Sequence, residues 1–389
     1  MSAVKDEIQH AVDRLGDELD QLSRQIHDHP ELGYQETQAC AWLCEFLERH
    51  GLQVERGVGG VPTAFRAAVP GGAPGPTVAI LCEYDALPGI GHACGHNVIA
   101  AAGAGAGAAL AAVRTRLPGG RVQVIGTPAE EGGGGKVKLV RAGLFQDVDC
   151  AMMIHGFDRT ILHQDLLGIV RVDLEWRGRA AHAATDPWEG VNALDACIQT
   201  FNAVALLRQQ VRPHCRVHGI ITHGGVAANI IPELARATFY VRAPAIDEMW
   251  QLYARVVACA EGAARATGTS LEVRQHEMVY EPLKRNQTLL DLFAANLRAT
   301  GLADDPPIPD RLGSSDVGNV SQVIPAIQPM IAIAPRGVPI HSREFAEAAV
   351  EPLARAGLLA AAKAMALTTY DLLADPARVR AAREEFARS

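Results

Sequence analysis

The sequence is poorest in the devices that staple or anchor a chain. None of its eight cysteines forms a Cys-x-x-Cys pair, and Cys40 and Cys44, four apart in a helical pattern, read as packing residues. A chain of 389 residues can build a core without disulfides, so this cysteine usage points to a reducing, cytoplasmic compartment. Residues 1–14 are polar and amphipathic and lack the apolar stretch of a secretory leader. The most membrane-like run, 98–113, is built of Ala and Gly and is shorter than the roughly 20 residues a span needs. It reads as a buried helix, and no membrane partner is expected. Positive charge is also short. A net charge of −8 excludes a nucleic-acid surface as the main business of the molecule. Lys136 follows four glycines, but Val137 stands where a phosphate loop carries Ser or Thr. There is no internal repeat and no low-complexity tail.

What is present is a globular composition, 48% hydrophobic and 21% charged, long enough for two domains. Ile8, Val12, Leu15, Leu19 and Leu22 recur at helical spacing, so residues 5–50 read as two helices broken at Pro30, with Thr37 capping the second. Strands at 63–69 and 77–82 flank a Pro/Gly loop, 70–76, and read as a hairpin. The helix 98–113, a strand at 121–126, a helix at 136–142 and a strand at 150–154 follow, the alternation of an α/β sheet. From 169 the pattern changes to strand 170–176, helix 190–211, strands 217–222 and 236–241, helix 246–267 and strand 271–279. That order suits an α+β sandwich with helices on one face. Helix 288–300, strand 329–334 and helix 351–374 then resume the first pattern. The expected division is a catalytic α/β domain, 1–168 and 284–389, interrupted by an inserted domain, 169–283.

The chemistry gathers at strand ends. Cys94-Gly95-His96 offers a thiolate and an imidazole that one tight turn can aim at a single point, a pair that suits zinc, cobalt or nickel, and manganese less readily. A buried cysteine beside a structural histidine is the plainer reading of that motif alone. Glu130-Glu131 follows the apolar run 122–128. One carboxylate could ligate while its neighbour acts as a base, or both could begin a helix. His155 follows the strand 150–154, and His341 lies seven residues past the strand ending at Ala334. Each alone is ordinary. Together, four segments place Cys, His or Glu at or beyond the carboxyl end of an apolar strand, the edge where open α/β sheets bind ligands.

Read in order, Glu83-Tyr84-Asp85-Ala86-Leu87-Pro88, Gly91-His92-Ala93-Cys94-Gly95-His96-Asn97, Pro128-Ala129-Glu130-Glu131, His155-Gly156, Ala181-His182-Ala183-Ala184 and His341 form a series covering nearly the whole chain. It resembles the aminoacylase–carboxypeptidase family of co-catalytic metallopeptidases, in particular the amidohydrolase branch with hippurate, auxin-conjugate and p-aminobenzoyl-glutamate hydrolases. The resemblance implies a catalytic domain of zinc-exopeptidase type interrupted by a lid domain that dimerises. It implies two divalent ions per subunit (Zn, Mn, Co or Ni), ligated by Cys94, His96, Glu131, His155 and His341, with Cys94 bridging. It makes Glu130 the general base and His182 an oxyanion stabiliser that can come from the partner subunit. Asn229, in Asn229-Ile230-Ile231-Pro232, would face the site from the lid.

Asp85 then holds a ligand imidazole, or else caps the turn before Pro88. Arg242, Ser314 and Ser315 are candidate anchors for a substrate carboxylate, although a salt bridge is the plainer role for Arg242. His92 packs or hydrogen-bonds the loop, and the remaining histidines read as surface or structural. Two positions depart from the pattern. Relatives carry Asp where Asn97 stands, and Asp or His where Glu83 stands, so metal preference and the role of Glu83 are left open. The expected function is a metal-dependent amidohydrolase acting on an N-acyl amino acid, an aryl-glutamate amide or a dipeptide-like substrate with a free carboxylate. Removal of ammonia from an aryl amine, and a non-catalytic binding protein, are the alternatives.

Overall fold

The computed structural model describes residues 3–69, 73–308 and 312–388. The chain divides into two units, Met1–Asp165 with Lys284–Arg311 and Asp316–Ser389, and Leu166–Leu283 with Leu312–Ser315. Among the described residues no helix is long and apolar enough to cross a membrane.

The first unit is built on a six-stranded sheet. Its order is Gln53–Arg56, Phe65–Ala68, Arg121–Gly126, Thr77–Cys82, Cys150–Met152 and Ala326–Ile327. The last four strands run parallel, as helical crossovers require, and Gln53–Arg56 and Phe65–Ala68 form the antiparallel edge. The expected hairpin does not form. Arg121–Gly126 lies between Phe65–Ala68 and Thr77–Cys82 and pairs with both. A central strand buried on both faces outcompetes a local turn, and Thr77–Cys82 is buried at every position. Of the intervening loop, 70–72 lie outside the described residues.

The helix His96–Ala112 is buried almost throughout. A Cβ on Gly103 would stand 2.5 Å from the Cys82 sulfur, and one on Gly107 would stand 2.3 Å from Val124 Cγ2. Close packing onto the two central strands therefore offsets the roughly 1 kcal/mol that each helical glycine costs. The N-terminal region forms three helices rather than two, Ala3–Arg14, Gly16–Asp28 and Thr37–Arg49. Thr37 is not the cap of the third. The Glu31 carboxylate, reaching from the preceding turn, accepts from the backbone amides of Gln38 at 2.9 Å and Ala39 at 3.0 Å. A carboxylate there satisfies free amides and suits the helix dipole.

The second unit is an antiparallel sheet in the order Ser270–Gln275, Gly168–Arg177, Leu234–Ala243 and Arg216–His223. Alternate residues of the central strands, Val170, Val172, Leu174 and Trp176 with Phe239 and Val241, enter one core with Cys197 and Val204 of Ala193–Leu207 and Met249, Leu252 and Val256 of Ile246–Thr267. The two-residue period puts Arg171, Asp173 and Glu175 on the other face. There Asp173 accepts from Thr238 Oγ1 at 2.6 Å and Glu175 from Arg236 at 2.5 Å. The architecture is an α/β domain interrupted by an inserted α+β domain.

Candidate metal centre

Each central strand of the first unit delivers polar groups just past its carboxyl end. Beyond Thr77–Cys82 come Glu83 and Asp85, then a loop that turns at Gly95 into the helix starting at His96. Gly95 has φ +76°, and a Cβ on it would stand 2.4 Å from Ile333 Cδ1. Glycine is therefore what lets Cys94 and His96 address one point. Beyond Arg121–Gly126 come Glu130 and Glu131. They follow Ala129, which adopts φ +58°. His155 opens the strand His155–Phe157, paired to Met330–Ala332 in a separate two-stranded ladder. His341 also has positive φ, +63°, and its amide donates to Ala93 O at 2.8 Å. Backbone in this region is uncommon for residues other than glycine and gathers at functional sites.

These segments bring the sulfur of Cys94 to 3.4 Å from His155 Nε2 and 3.5 Å from His341 Nε2. His341 Nε2 is 3.5 Å from Glu131 Oε1. Donor atoms of Cys94, His96 and His155 lie within 4.8 Å of one another, as do those of Cys94, Glu131 and His341, and those of His96, Glu130 and Glu131.

The tautomers follow from the outer partners. His155 Nδ1 donates to Gly156 O at 2.8 Å, and His96 Nδ1 lies 2.8 Å from Asp85 O and 3.1 Å from Asp85 Oδ1. Both rings therefore present the lone pair of Nε2 to the cluster. The other Asp85 oxygen accepts the amide of Glu131 at 2.9 Å. One carboxylate thus holds both an imidazole and the segment bearing the paired glutamates.

Thiol, imidazole and carboxylate donors suit zinc, cobalt, nickel or manganese. The buried atoms His96 Nε2 and Glu131 Oε1 have no hydrogen-bond partner. Such atoms are expensive to bury unless something else satisfies them. The residues fit a metal centre.

Burial pushes the Cys94 thiol up, helped by the Glu131 charge, and a cation at the sulfur opposes this by favouring the thiolate. Burial holds His155 below the ordinary imidazole range. It also lifts Glu130 well above the carboxylate range, with Glu83, Glu131 and Asp316 adding to the effect. Glu131 is favoured by burial in its neutral form, yet the neighbouring His341 and the charge of His96 bring it below its ordinary value.

Some residues flagged in the sequence take other places. Asn97 Nδ2 donates to Ser23 Oγ at 2.9 Å and to Ala349 O at 3.1 Å, so its amide serves helix packing. His92 is buried, and burial lowers it to about 3. His182, Asn229, Arg242, Ser314 and Ser315 belong to the second unit. His182 is exposed, and its Nδ1 accepts from the amides of Ala184 at 3.2 Å and Thr185 at 3.1 Å, which leaves Nε2 carrying the proton. The Asn229 carbonyl accepts from Ala183 at 2.9 Å. Arg242 donates to Ser314 Oγ at 3.2 Å, while its buried Nε has no hydrogen-bond partner. Among the described residues no carboxylate pairs with Arg242.

Three residues near the centre, Lys136, Asp316 and Glu36, are not assigned to it from the sequence. Lys136 is fully buried, with its ammonium against Glu83 and 2.7 Å from Asp316 Oδ1. Burial favours its neutral form, but Asp316, Glu83 and Glu130 overcome this and hold it protonated. The Lys136 amide also donates to Asp316 Oδ2 at 2.8 Å. Glu36 accepts from the Ala129 amide at 2.8 Å, and burial raises it to about 7. A lysine directly after a glycine run beside Glu130-Glu131 was the available signal for this buried network.

Residues 79–363 match the model of peptidase family M20/M25/M40. The chain is 39% identical to the Xaa-Arg dipeptidase of Mus musculus, over 96% of this chain and 90% of that one. It is 31% identical to one of the subunits of p-aminobenzoyl-glutamate hydrolase from Escherichia coli, over 94% and 91%. Its fold is that of the Bacillus subtilis YXEP protein, described as a dinuclear metal-binding peptidase, with TM-score 0.73, 20% identity and coverage of 93% and 99%.

Proposed function

The chain belongs to peptidase family M20/M25/M40 and is a hydrolase of amide bonds, and from that premise we propose that it is a two-metal dipeptidase releasing an amino acid with a free α-carboxylate. The observation that carries this reading is the convergence of Cys94, His96, Glu131, His155 and His341, with Glu130 buried among them. Divalent cations bound by those five residues would polarise the amide carbonyl and make water a stronger acid. Glu130 accepts the proton of the attacking water as its oxygen bonds to the carbonyl carbon. It returns that proton to the leaving nitrogen as the C–N bond breaks. Asp85 keeps the His96 ring in place. His182 offers its Nε2–H to the developing oxyanion, with Asn229 beside it on the lid.

Arg242, whose buried Nε has no hydrogen-bond partner and which pairs with no carboxylate among the described residues, is assigned to the substrate carboxylate, with Ser314 and Ser315 shaping that end. The names of the mouse and bacterial relatives share an amide bond to an amino acid, which fits that anchor. The higher identity to the Xaa-Arg dipeptidase makes a dipeptide with C-terminal arginine the first substrate to try. Neither ammonia release from an aryl amine nor a purely binding role is favoured by these relatives.

The lid is also assigned a homodimer contact. Arg216–His223 is an edge strand, and Ile220 on it is 65% exposed, with Val226 at 80% just beyond. An unpaired edge carrying apolar side chains is a natural surface for a second copy.

The test loads purified protein separately with zinc, manganese, cobalt and nickel. Each form is offered Xaa-Arg dipeptides, p-aminobenzoyl-glutamate and N-acyl amino acids. Release of the free amino acid without ammonia is expected. Failure of every metal form on every substrate, or ammonia release from the aryl amine, overturns the reading.

A further inference from the structure

Glu83 is fully buried, and its two oxygens have different surroundings. Oε1 takes the Lys136 ammonium, which is also held by Asp316 at 2.7 Å. Oε2 has no hydrogen-bond partner and lies 3.5 Å from His96 Nε2, a second buried atom without one. The Asp85 contacts commit the His96 proton to Nδ1. With the His96 ring neutral, as a metal ligand must be, two lone-pair atoms face each other across a gap that hydrogen bonding does not close. An unsatisfied carboxylate oxygen in a dry site is costly unless a cation meets it.

The Lys136 ammonium does not meet that need at Oε2, because it is occupied between Oε1 and Asp316. It does fix which way the carboxylate turns. From this geometry we infer that Glu83 is a sixth protein ligand of the centre, giving Oε2 to the ion held by His96, with Lys136 and Asp316 aiming it. This rests on the metal-centre reading above. The consequence is a further negative charge against the cations at the His96 side. The sequence marks the same position, where Glu83 is one methylene longer than Asp and so able to span from Lys136 to the cluster.

Two measurements test it. Apo-protein of wild type and Glu83→Gln is titrated with zinc and with cobalt, following affinity calorimetrically and cobalt coordination by visible absorption. The variant leaves Lys136 paired with Asp316 and keeps the side-chain shape. One ion is expected to bind at least about 10-fold more weakly, the lower range for loss of even a supporting partner, with an altered cobalt spectrum. Zinc-loaded wild-type crystals, which need no variant to fold, are expected to place Glu83 Oε2 within about 2.2 Å of one ion. Unchanged affinity and spectrum in Glu83→Gln, or an oxygen beyond about 3 Å in the crystals, overturns the assignment. A wild-type protein that takes up no divalent ion contradicts the metal-centre reading and this assignment with it.

Discussion

In the sheet unit, charged groups lie inside. Glu83, Asp85, His96, Lys136 and Asp316 are each 1% exposed or less. In the lid, Arg171, Asp173 and Arg236 line an open sheet face, and His182 and Asn229 are exposed. Burial leaves a polar group little choice of partner, so an unpaired atom such as His96 Nε2 points to something that must meet it. Exposure imposes no such demand, because water satisfies the group. Roles in the sheet unit therefore follow from geometry. Those in the lid depend on what approaches it, and Arg242 is the exception, with a buried Nε that has no hydrogen-bond partner.

The contrast can be broken at several points, and the largest effect is expected in the sheet unit. Glu130→Gln should lower hydrolysis by about 10²–10⁴-fold while metal content, read by elemental analysis, stays at the wild-type level. Retained activity at full metal loading removes Glu130 as the base. In the lid, His182→Ala should lower kcat by about 10²–10³-fold, again with metal unchanged. A loss of metal instead would move His182 into the ligand set. Arg242→Gln should raise KM by about 10–100-fold, the value of a charge-assisted hydrogen bond, and leave kcat nearly intact. Equal losses in kcat and kcat/KM would mean that the contact forms only in the transition state. The smallest effect on chemistry is expected at the lid edge. Ile220→Lys with Val226→Lys should shift a dimer to one-chain mass by light scattering, and a wild type already at one-chain mass removes that contact.

Most of the strands and helices, the inserted second unit and the segments that bring Cys, His and Glu together are legible because each has a local signal. Apolar strands end in Cys, His or Glu, and the period changes near 169. What was not legible is non-local. Phe65–Ala68 and Thr77–Cys82 look like a hairpin until Arg121–Gly126 enters between them. Lys136 looks like the first residue of a helix after a glycine run, and its partner Asp316 is 180 positions away. The break at Leu15 is hidden because Ile8, Val12, Leu19 and Leu22 are buried on both sides of it, and the single Gly16 beside it is the sole local mark. Glu31 displaced Thr37 as the helix cap for a similar reason. The turn that returns its carboxylate to Gln38 and Ala39 is set by the fold around it.

The central claim is that Cys94, His96, Glu131, His155 and His341 hold a pair of metal ions. The most direct test is zinc counted per chain after chelator-stripped protein is saturated and freed of excess. Two ions per chain are the expected result. A chain that saturates with one ion, or retains none, contradicts it.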